Sequence, residues 1–324
     1  MGPKFPPEEV FAMENILISL NTVLPLFLTI GVGCIAKHYR LISDGAIREA
    51  NGLCFKVFMS ALLFNSVYTS DLGSAFDGRV LALCLLGISA EFLAGMVLVP
   101  RIEQAPPAQG VMVQAFFRSN TVLMGMPIAI SLFGSDNVGQ ISMVLAIVVP
   151  FLNILSVVAL ELFRGGKPSL RHIVKGVATN PLVLGAVTGM IAVALGIQLP
   201  KALNSVVTSL ANAATPLALV LMGASLDFSK LKRALRNMAV CTVARLAAAP
   251  AVFLTIGVLM GFRGVSLCTA LVVFATPVAV NSYNMAMQMD GDADLAGGIV
   301  LMTTLISCLT LFLWIWLLKA LGLL

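Results

Sequence analysis

Two long apolar stretches of the chain carry, near their centres, polar residues of the kind that bind small molecules. The first reads Phe-Arg-Ser-Asn-Thr at 117–121; the second reads Ala-Thr-Pro at 275–277 and Asn-Ser-Tyr-Asn at 281–284. Amides, hydroxyls and a guanidinium supply hydrogen-bond donors and one positive charge, which suits the binding of an anion. The candidate substrate ligands are Arg118, Ser119, Asn120, Thr121, Thr276, Pro277, Asn281 and Asn284.

A proline in or close to each polar cluster predicts that both helices are interrupted, at Pro127 and at Pro277. Proline lacks the amide donor and clashes with the preceding turn. Bare backbone in lipid costs several kcal/mol per group, so such breaks persist only where protein or water satisfies them. One such proline alone would indicate a plain kink, but the paired occurrence favours two broken helices that cross. Their half-helix N-termini would then attract an anion.

Ionisable residues inside the apolar stretches are a second candidate for function. Glu91, Arg118 and Arg245 lie near the middle of their spans, where a charge costs on the order of 3 kcal/mol or more. Such a residue usually faces a cavity or a partner. Two interpretations stay open: Glu91 titrates during proton coupling while an arginine meets the substrate, or Glu91 and Arg245 form a structural ion pair.

The composition indicates that these residues lie within a lipid bilayer. The 324 residues are 59% apolar and only 11% charged, with a mean hydropathy of +1.00, whereas soluble domains carry roughly 25% charged residues. Long apolar runs predict an all-α polytopic membrane protein with ten transmembrane helices. Their approximate bounds are 15–37, 46–68, 79–100, 109–134, 138–164, 181–198, 203–226, 233–260, 264–290 and 293–321.

The distribution of basic residues predicts the orientation of these spans. With the N-terminus outside, inward connections carry 12 of the 20 lysines and arginines and outward segments carry 5. Because basic residues favour the cytoplasmic side, both termini are expected outside. The first span is too long for a signal-peptide core, so we expect no cleavage.

The chain divides into similar halves at its longest polar connection. Residues 1–164 are predicted to form one five-helix repeat and 181–324 a second, joined by a cytoplasmic loop at 165–180. An acidic or glycine-containing turn ends the fourth and the ninth span, followed by similar residues 156 positions apart, Leu145 and Leu301. Five is odd, so the second repeat must be inverted, which is a recurring transporter design.

Other classes of protein find little support in the sequence. A net charge of +5 without a block of like charges gives no reason to expect nucleic acid. The six cysteines form no Cys-x-x-Cys pair and the two histidines are far apart, so neither a metal site nor a cofactor is predicted. Paired carboxylates or a Ser/His pair are not evident either, and we expect no enzyme.

The motifs resemble those of the auxin efflux carrier family along nearly the whole chain. Residues 117–121 with Gly-Met-Pro at 125–127 resemble its fourth-helix motif, and 214–226 resembles its seventh. Residues 277–284, the acidic turn to Asp294, and Thr-Thr-Leu-Ile-Ser at 303–307 are similar to its ninth and tenth helices. The family includes plant auxin exporters and bacterial permeases for malate or malonate.

The resemblance implies a scaffold of helices 1, 2, 6 and 7 and a moving transport domain of helices 3–5 and 8–10. Helices 4 and 9 would cross at Asn120 and Pro277, and the protein would act as a homodimer by an elevator motion. The short central connection is typical of prokaryotic members, which implies a bacterial inner membrane. One residue departs from the family pattern: Ser60 stands where a proline is common.

The expected function is therefore secondary transport of a small organic anion, a carboxylate such as a dicarboxylate or an auxin-like acid. The coupling ion is open between H⁺ and Na⁺. The alternative is a sodium-coupled symporter of the bile-acid carrier type, using oxygens of Asn120, Thr276, Asn281 and Ser282. A channel or a sensor is less favoured. A sensor would normally carry a soluble output module, which the sequence does not show, and a channel would give conductance without counter-flow.

Overall fold

The computed structural model describes residues 24–69, 77–164, 170–227, 231–232 and 234–324, and every regular element in these residues is helical. The predicted all-α class is therefore confirmed. The helices are α1 (Leu24–His38), α2 (Asp44–Tyr68), α3 (Gly78–Ile102), α4 (Pro106–Phe117), α5 (Thr121–Phe133), α6 (Gly139–Leu162), α7 (Leu170–Thr179), α8 (Pro181–Ala194), α9 (Lys201–Ser225), α10 (Leu235–Leu259), α11 (Gly264–Ala275), α12 (Asn281–Gln288) and α13 (Ala293–Ala320).

Six of these helices are long and apolar enough to cross a bilayer: α2, α3, α6, α9, α10 and α13, each with 24 to 28 residues. At 1.5 Å per residue, 24 residues reach about 36 Å, which exceeds the ~30 Å hydrocarbon layer. Four shorter apolar helices accompany them: α1, α5, α8 and α11. The count of ten spans stays a prediction, and residues 15–23 of the first span lie outside the described residues.

The connection at 165–180, which we expected to be a loop, contains helix α7. Its sequence explains why: apolar residues recur at 170, 173, 174 and 177 with basic residues between them. Apolar residues at this spacing are typical of an amphipathic helix.

Close contact between backbones joins α1 to α9 and α8 to α2. A Cβ atom added to Gly33 would lie 2.0 Å from the carbonyl oxygen of Val220, and one added to Gly223 would lie 2.0 Å from that of Ile30. Between α8 and α2, a Cβ on Gly185 would lie 2.5 Å from the Ser60 oxygen. Membrane helices usually pack closely at small residues. Van der Waals contacts stabilise these crossings, because the hydrophobic effect does not drive helices together in lipid.

The core surrounds α4 and α11, the half-helices that precede the two polar clusters. Every residue of α4 from Ala108 to Phe117 is buried, and so is every residue of α11 from Leu267 to Ala275. A helix that is apolar all round is stable only inside protein or lipid, and here neighbouring helices enclose both. The polar residues that follow them are therefore held at the centre of the molecule.

We predict that Gly33→Ala destabilises the fold by about 1–3 kcal/mol, the usual cost of overpacking. The added methyl must separate α1 from α9, whereas Gly31→Ala adds its methyl to open space and gains helix propensity. Thermal unfolding of both purified variants in detergent measures the difference. Equal midpoints for the two variants would contradict close packing of these helices.

Candidate functional site

Two helix interruptions pair with each other at the centre of the molecule. Between α4 and α5, and between α11 and α12, the chain is extended, and Ser119 forms an antiparallel bridge with Val278. The amide of Asn120 donates to the Pro277 carbonyl at 2.8 Å, and the amide of Ala279 donates to the Arg118 carbonyl at 3.2 Å. The backbone groups freed by one break are thus satisfied by the other, as a buried break requires.

The structure moves the first break away from Pro127, where we expected it. The chain leaves helical geometry at residues 118–120, and Pro127 lies inside α5. The turn before it, Thr121–Gly125, is a π-helix. Proline cannot donate to the fourth residue before it, and a wider turn accommodates that loss without ending the helix. In the second break, Pro277 does lie in the extended segment.

Arg245 caps the C-terminal ends of both interrupted helices. Its Nη1 donates to the carbonyls of Phe116 and Phe117 at the end of α4, at 3.3 Å each. Its Nε donates to the Thr276 carbonyl at 3.0 Å, and its Nη2 donates to the Val273 carbonyl at the end of α11. The last carbonyls of a helix lack intrahelical partners and carry partial negative charge, so a buried cation between the two ends satisfies both.

Glu91 balances this buried cation. Both carboxylate oxygens lie 3.3 Å from Nη1 of Arg245, and the two side chains are 6% and 0% exposed. A buried ion pair is favourable only when further hydrogen bonds satisfy the remaining groups, and the carbonyls of α4 and α11 supply them. Glu91 and Arg245 therefore form a buried ion pair in this conformation.

A cavity of about 370 Å³ lies beside the crossing. Five of the predicted ligands line it, and the other three do not. The lining members are Arg118, Ser119, Asn120, Thr121 and Asn281. The members outside the lining are Thr276, Pro277 and Asn284.

Arg118 gives the cavity its positive charge. The side chain is 3% exposed, its Nη1 donates to Ser156 at 2.7 Å, and its Nη2 donates to Asn153 at 2.7 Å. No carboxylate in the described part of the chain pairs with it, and its Nε has no partner there. Neutral oxygens of α6 therefore hold the guanidinium in position without neutralising it.

The groups next to Arg118 add further donors. The side-chain nitrogen of Asn120 and the hydroxyl of Ser119 are buried without a partner among the described residues. The first turns of α5 and α12 also line the cavity, and each helix N-terminus contributes roughly half a positive charge. This combination of an unpaired cation, two helix N-termini and free donors can hold an anion.

The opposite wall contains residues that the sequence reasoning did not select as ligands. Asn65 and Ser66 of α2 line the cavity, together with Thr69 directly after α2 and Thr215 of α9. In the sequence Asn65 is only an amide within an apolar span. Only the packing of α2 and α9 opposite the crossing shows that Asn65 lies on the face of α2 that lines the cavity.

The three predicted ligands outside the cavity lining are buried in the interior, and two of them have hydrogen-bond partners there. The Thr276 hydroxyl donates to the Val272 carbonyl at 2.9 Å, and the Pro277 carbonyl accepts from Asn120. Asn284 is fully buried, and both polar atoms of its side chain lack partners among the described residues. No group of three or more His, Cys, Asp or Glu side chains that could hold a metal ion occurs in those residues.

The helices and the cavity define the class: an integral membrane protein with an internal cavity beside two interrupted helices, which is a transporter arrangement. The chain belongs to the family of membrane transport proteins, which it matches over residues 18–178 and 168–315. This match confirms the resemblance to the auxin efflux carriers.

Similar proteins carry transporter names. An uncharacterized transporter of Methanothermobacter thermautotrophicus is 25% identical over 91% of this chain and 97% of its own length. An uncharacterized transporter of Methanocaldococcus jannaschii is 22% identical over 93% of this chain and 99% of its own. A Rhizobium meliloti protein named as a candidate malonate transporter is 28% identical over 43% of each chain.

We predict that Arg245→Met costs about 3–5 kcal/mol of stability, because it strands a buried carboxylate and uncaps two helices. Glu91→Gln should cost less, since the carbonyl bonds of Arg245 remain. The double variant should recover part of the loss of Arg245→Met. Thermal unfolding of the three purified variants measures this order, and an unchanged unfolding midpoint for Arg245→Met would contradict the capping role.

Proposed function

We propose that this protein is a secondary active transporter that moves a small organic anion, a carboxylate, across the membrane by alternating access. One observation carries the proposal: Arg118 is buried beside the cavity with no carboxylate partner among the described residues. A buried cation is costly, so its retention beside a cavity favours a ligand of opposite charge.

The balance of charge favours a carboxylate with one or two negative groups. Arg118 supplies one positive charge, and the N-termini of α5 and α12 supply roughly half a charge each. The described lining contains no acidic side chain. Donors on the far wall, including Asn65 and Thr215, are available to a second carboxylate. The malonate name carried by the Rhizobium meliloti relative agrees with a dicarboxylate.

We infer two inverted five-helix repeats that together make ten spans. Two close contacts support the inference: Gly33 packs on the Val220 carbonyl, and Gly189 packs on that of Phe64. Gly189 lies 156 positions after Gly33, and Val220 lies 156 positions after Phe64. The two contacts are therefore at equivalent places in the two repeats. The chain breaks at 118–120 and at 276–280 lie at a similar offset.

We propose an elevator motion, which the grouping of the helices supports. Glycine contacts join α1 to α9 and α8 to α2, which supports a rigid scaffold. Arg245 joins α10 to the interrupted helices, which supports a second body that moves as a unit. The cavity has Leu62 and Thr215 on the first group and Arg118 and Asn281 on the second. Movement of the second group would carry the substrate with it.

The remaining features of the proposal come from the sequence. We expect a homodimer formed through the scaffold, in a bacterial inner membrane with both termini outside. The coupling ion stays open between H⁺ and Na⁺. The sodium alternative is weakened because Thr276, one of its four proposed ligands, lies outside the lining of the cavity. Ser282 and Asn281 still offer oxygens, so sodium dependence is part of the test.

Purified protein in liposomes should accumulate radiolabelled malonate saturably, with counter-flow when unlabelled malonate is inside. Arg118→Ala and Asn120→Ala should abolish uptake, because they remove the cation and a donor of the cavity. Arg48→Ala and Asn204→Ala, at exposed positions outside the cavity, are the matched controls and should transport normally. Normal uptake by both cavity variants would contradict the site.

The same vesicles distinguish the coupling ions. Uptake driven by a proton gradient in sodium-free buffer supports proton coupling, and strict dependence on sodium supports the symporter alternative. Conductance without counter-flow would indicate a channel. Absence of flux across a broad carboxylate panel, with folding verified, would overturn the transport proposal.

We also predict a shift in selectivity for Asn65→Leu. It removes an amide from the wall opposite Arg118, so competition by dicarboxylates should weaken about tenfold more than competition by monocarboxylates, the value of one hydrogen bond to a charged group. Asn212→Leu, at an exposed position of α9, is the control. Equal weakening for the two classes of acid would place the second carboxylate elsewhere.

A further inference from the structure

A second cavity lies on the far side of the ion pair, between α3 and α10. It is an open groove of about 690 Å³ with an almost entirely apolar wall. Alanines and other aliphatic residues of both helices form most of it, and Phe116 of α4 contributes an aromatic ring. The wall contains Ala90, Ala94 and Leu98 of α3. It also contains Ala239, Val240 and Val243 of α10.

The groove stays open because polar contacts fix the two helices on either side of the α4 end. Glu91 of α3 reaches Arg245 of α10 at 3.3 Å, and Asn237 donates to Glu103 at 2.6 Å at one end of the groove. Elsewhere in this protein small residues bring helices into backbone contact, whereas here alanines leave a gap. An unfilled apolar gap loses dispersion contacts along its whole wall, so hydrocarbon from the bilayer fills it favourably.

Basic residues lie at the end of the groove that is close to Glu103. Arg101 lies on the face of α3 that carries Ala94 and Leu98, at the i+7 and i+3 positions. Arg236 lies one turn before Val240 on α10. Both arginines are exposed, and so is Lys232 just before α10.

The one acid in this group does not cancel the charge. Glu103 accepts from the amides of Ala105 and Gln104 and from the side chain of Asn237, and these bonds hold its pKa below the usual value. The two arginines, Arg101 and Arg236, outnumber this single carboxylate at the same end of α3 and α10. Glu91, farther along the wall, is already paired with Arg245.

We propose that the α3/α10 groove binds an anionic phospholipid, with an acyl chain along the alanine wall and the phosphate between Arg101 and Arg236. The apolar wall and the basic end match the two parts of such a lipid, and basic residues at a membrane surface attract anionic headgroups. The site is separate from the cavity that contains Arg118. It adjoins Glu91 and Phe116, so an occupied groove also covers the ion pair that caps the crossing.

The test is lipid retention by the intact purified protein, measured by native mass spectrometry after addition of phosphatidylglycerol or phosphatidylcholine. Phosphatidylglycerol should be retained preferentially. Ala94→Trp fills the groove and should abolish retention, whereas Leu305→Trp, at an exposed position of α13 outside the groove, should keep it.

The charge at the groove end is tested by a second pair of variants. The double variant Arg101→Gln/Arg236→Gln alters only exposed side chains and should weaken phosphatidylglycerol binding about tenfold or more. Arg79→Gln/Arg263→Gln, on exposed arginines away from the groove, is the control. Equal retention of the two lipids by the wild type, or wild-type retention by the Arg101/Arg236 variant, would overturn the proposal.

Discussion

The crossing of two interrupted helices depends on the buried guanidinium of Arg245. Each interruption leaves carbonyls without intrahelical partners, and these carry the negative ends of two helix dipoles into the centre of the molecule. Arg245 donates to carbonyls at the ends of both helices and is balanced by Glu91. The protein thus satisfies the negative ends internally and leaves the positive ends, the N-termini of α5 and α12, at the cavity.

The two buried arginines have different surroundings. The difference fits a structural role for Arg245 and the proposed binding role for Arg118. Arg245 has a carboxylate and several carbonyls, so its charge is compensated before any ligand arrives. Among the described residues, the partners of Arg118 are a hydroxyl, an amide oxygen and a carbonyl of α6. A buried cation held by neutral oxygens is strongly attracted to an anion, because the protein interior screens it poorly.

The two groups of helices differ in what holds them together. α1, α2, α8 and α9 are joined by backbone contacts at glycines, where even a methyl group would clash. In the second group, α3, α4, α10 and α11 meet at Arg245, and α5 and α12 follow the paired extended segments. The cavity between the groups is lined partly by aliphatic residues, such as Leu62 and Val149. Aliphatic surfaces can slide past one another more easily than interlocked backbones, which is compatible with relative motion of the two groups.

The sequence by itself determined the helical membrane class, because so few charges cannot solvate a chain of this size. It also predicted that two helices are interrupted and located the second interruption at Pro277, since proline and buried amides disfavour a continuous helix in lipid. It misplaced the first break at Pro127, because a π-turn can absorb the missing donor, and this depends on neighbouring packing.

Only the tertiary structure decided which arginine does what. Arg118 and Arg245 have the same side chain and similar positions in their spans, and their partners come from residues 28 to 154 positions away. The same holds for Asn65 and Thr215, whose membership of the cavity depends on which face of α2 and α9 is turned to the crossing. Sequence spacing fixes the face of a helix, but its rotation relative to other helices is set by packing.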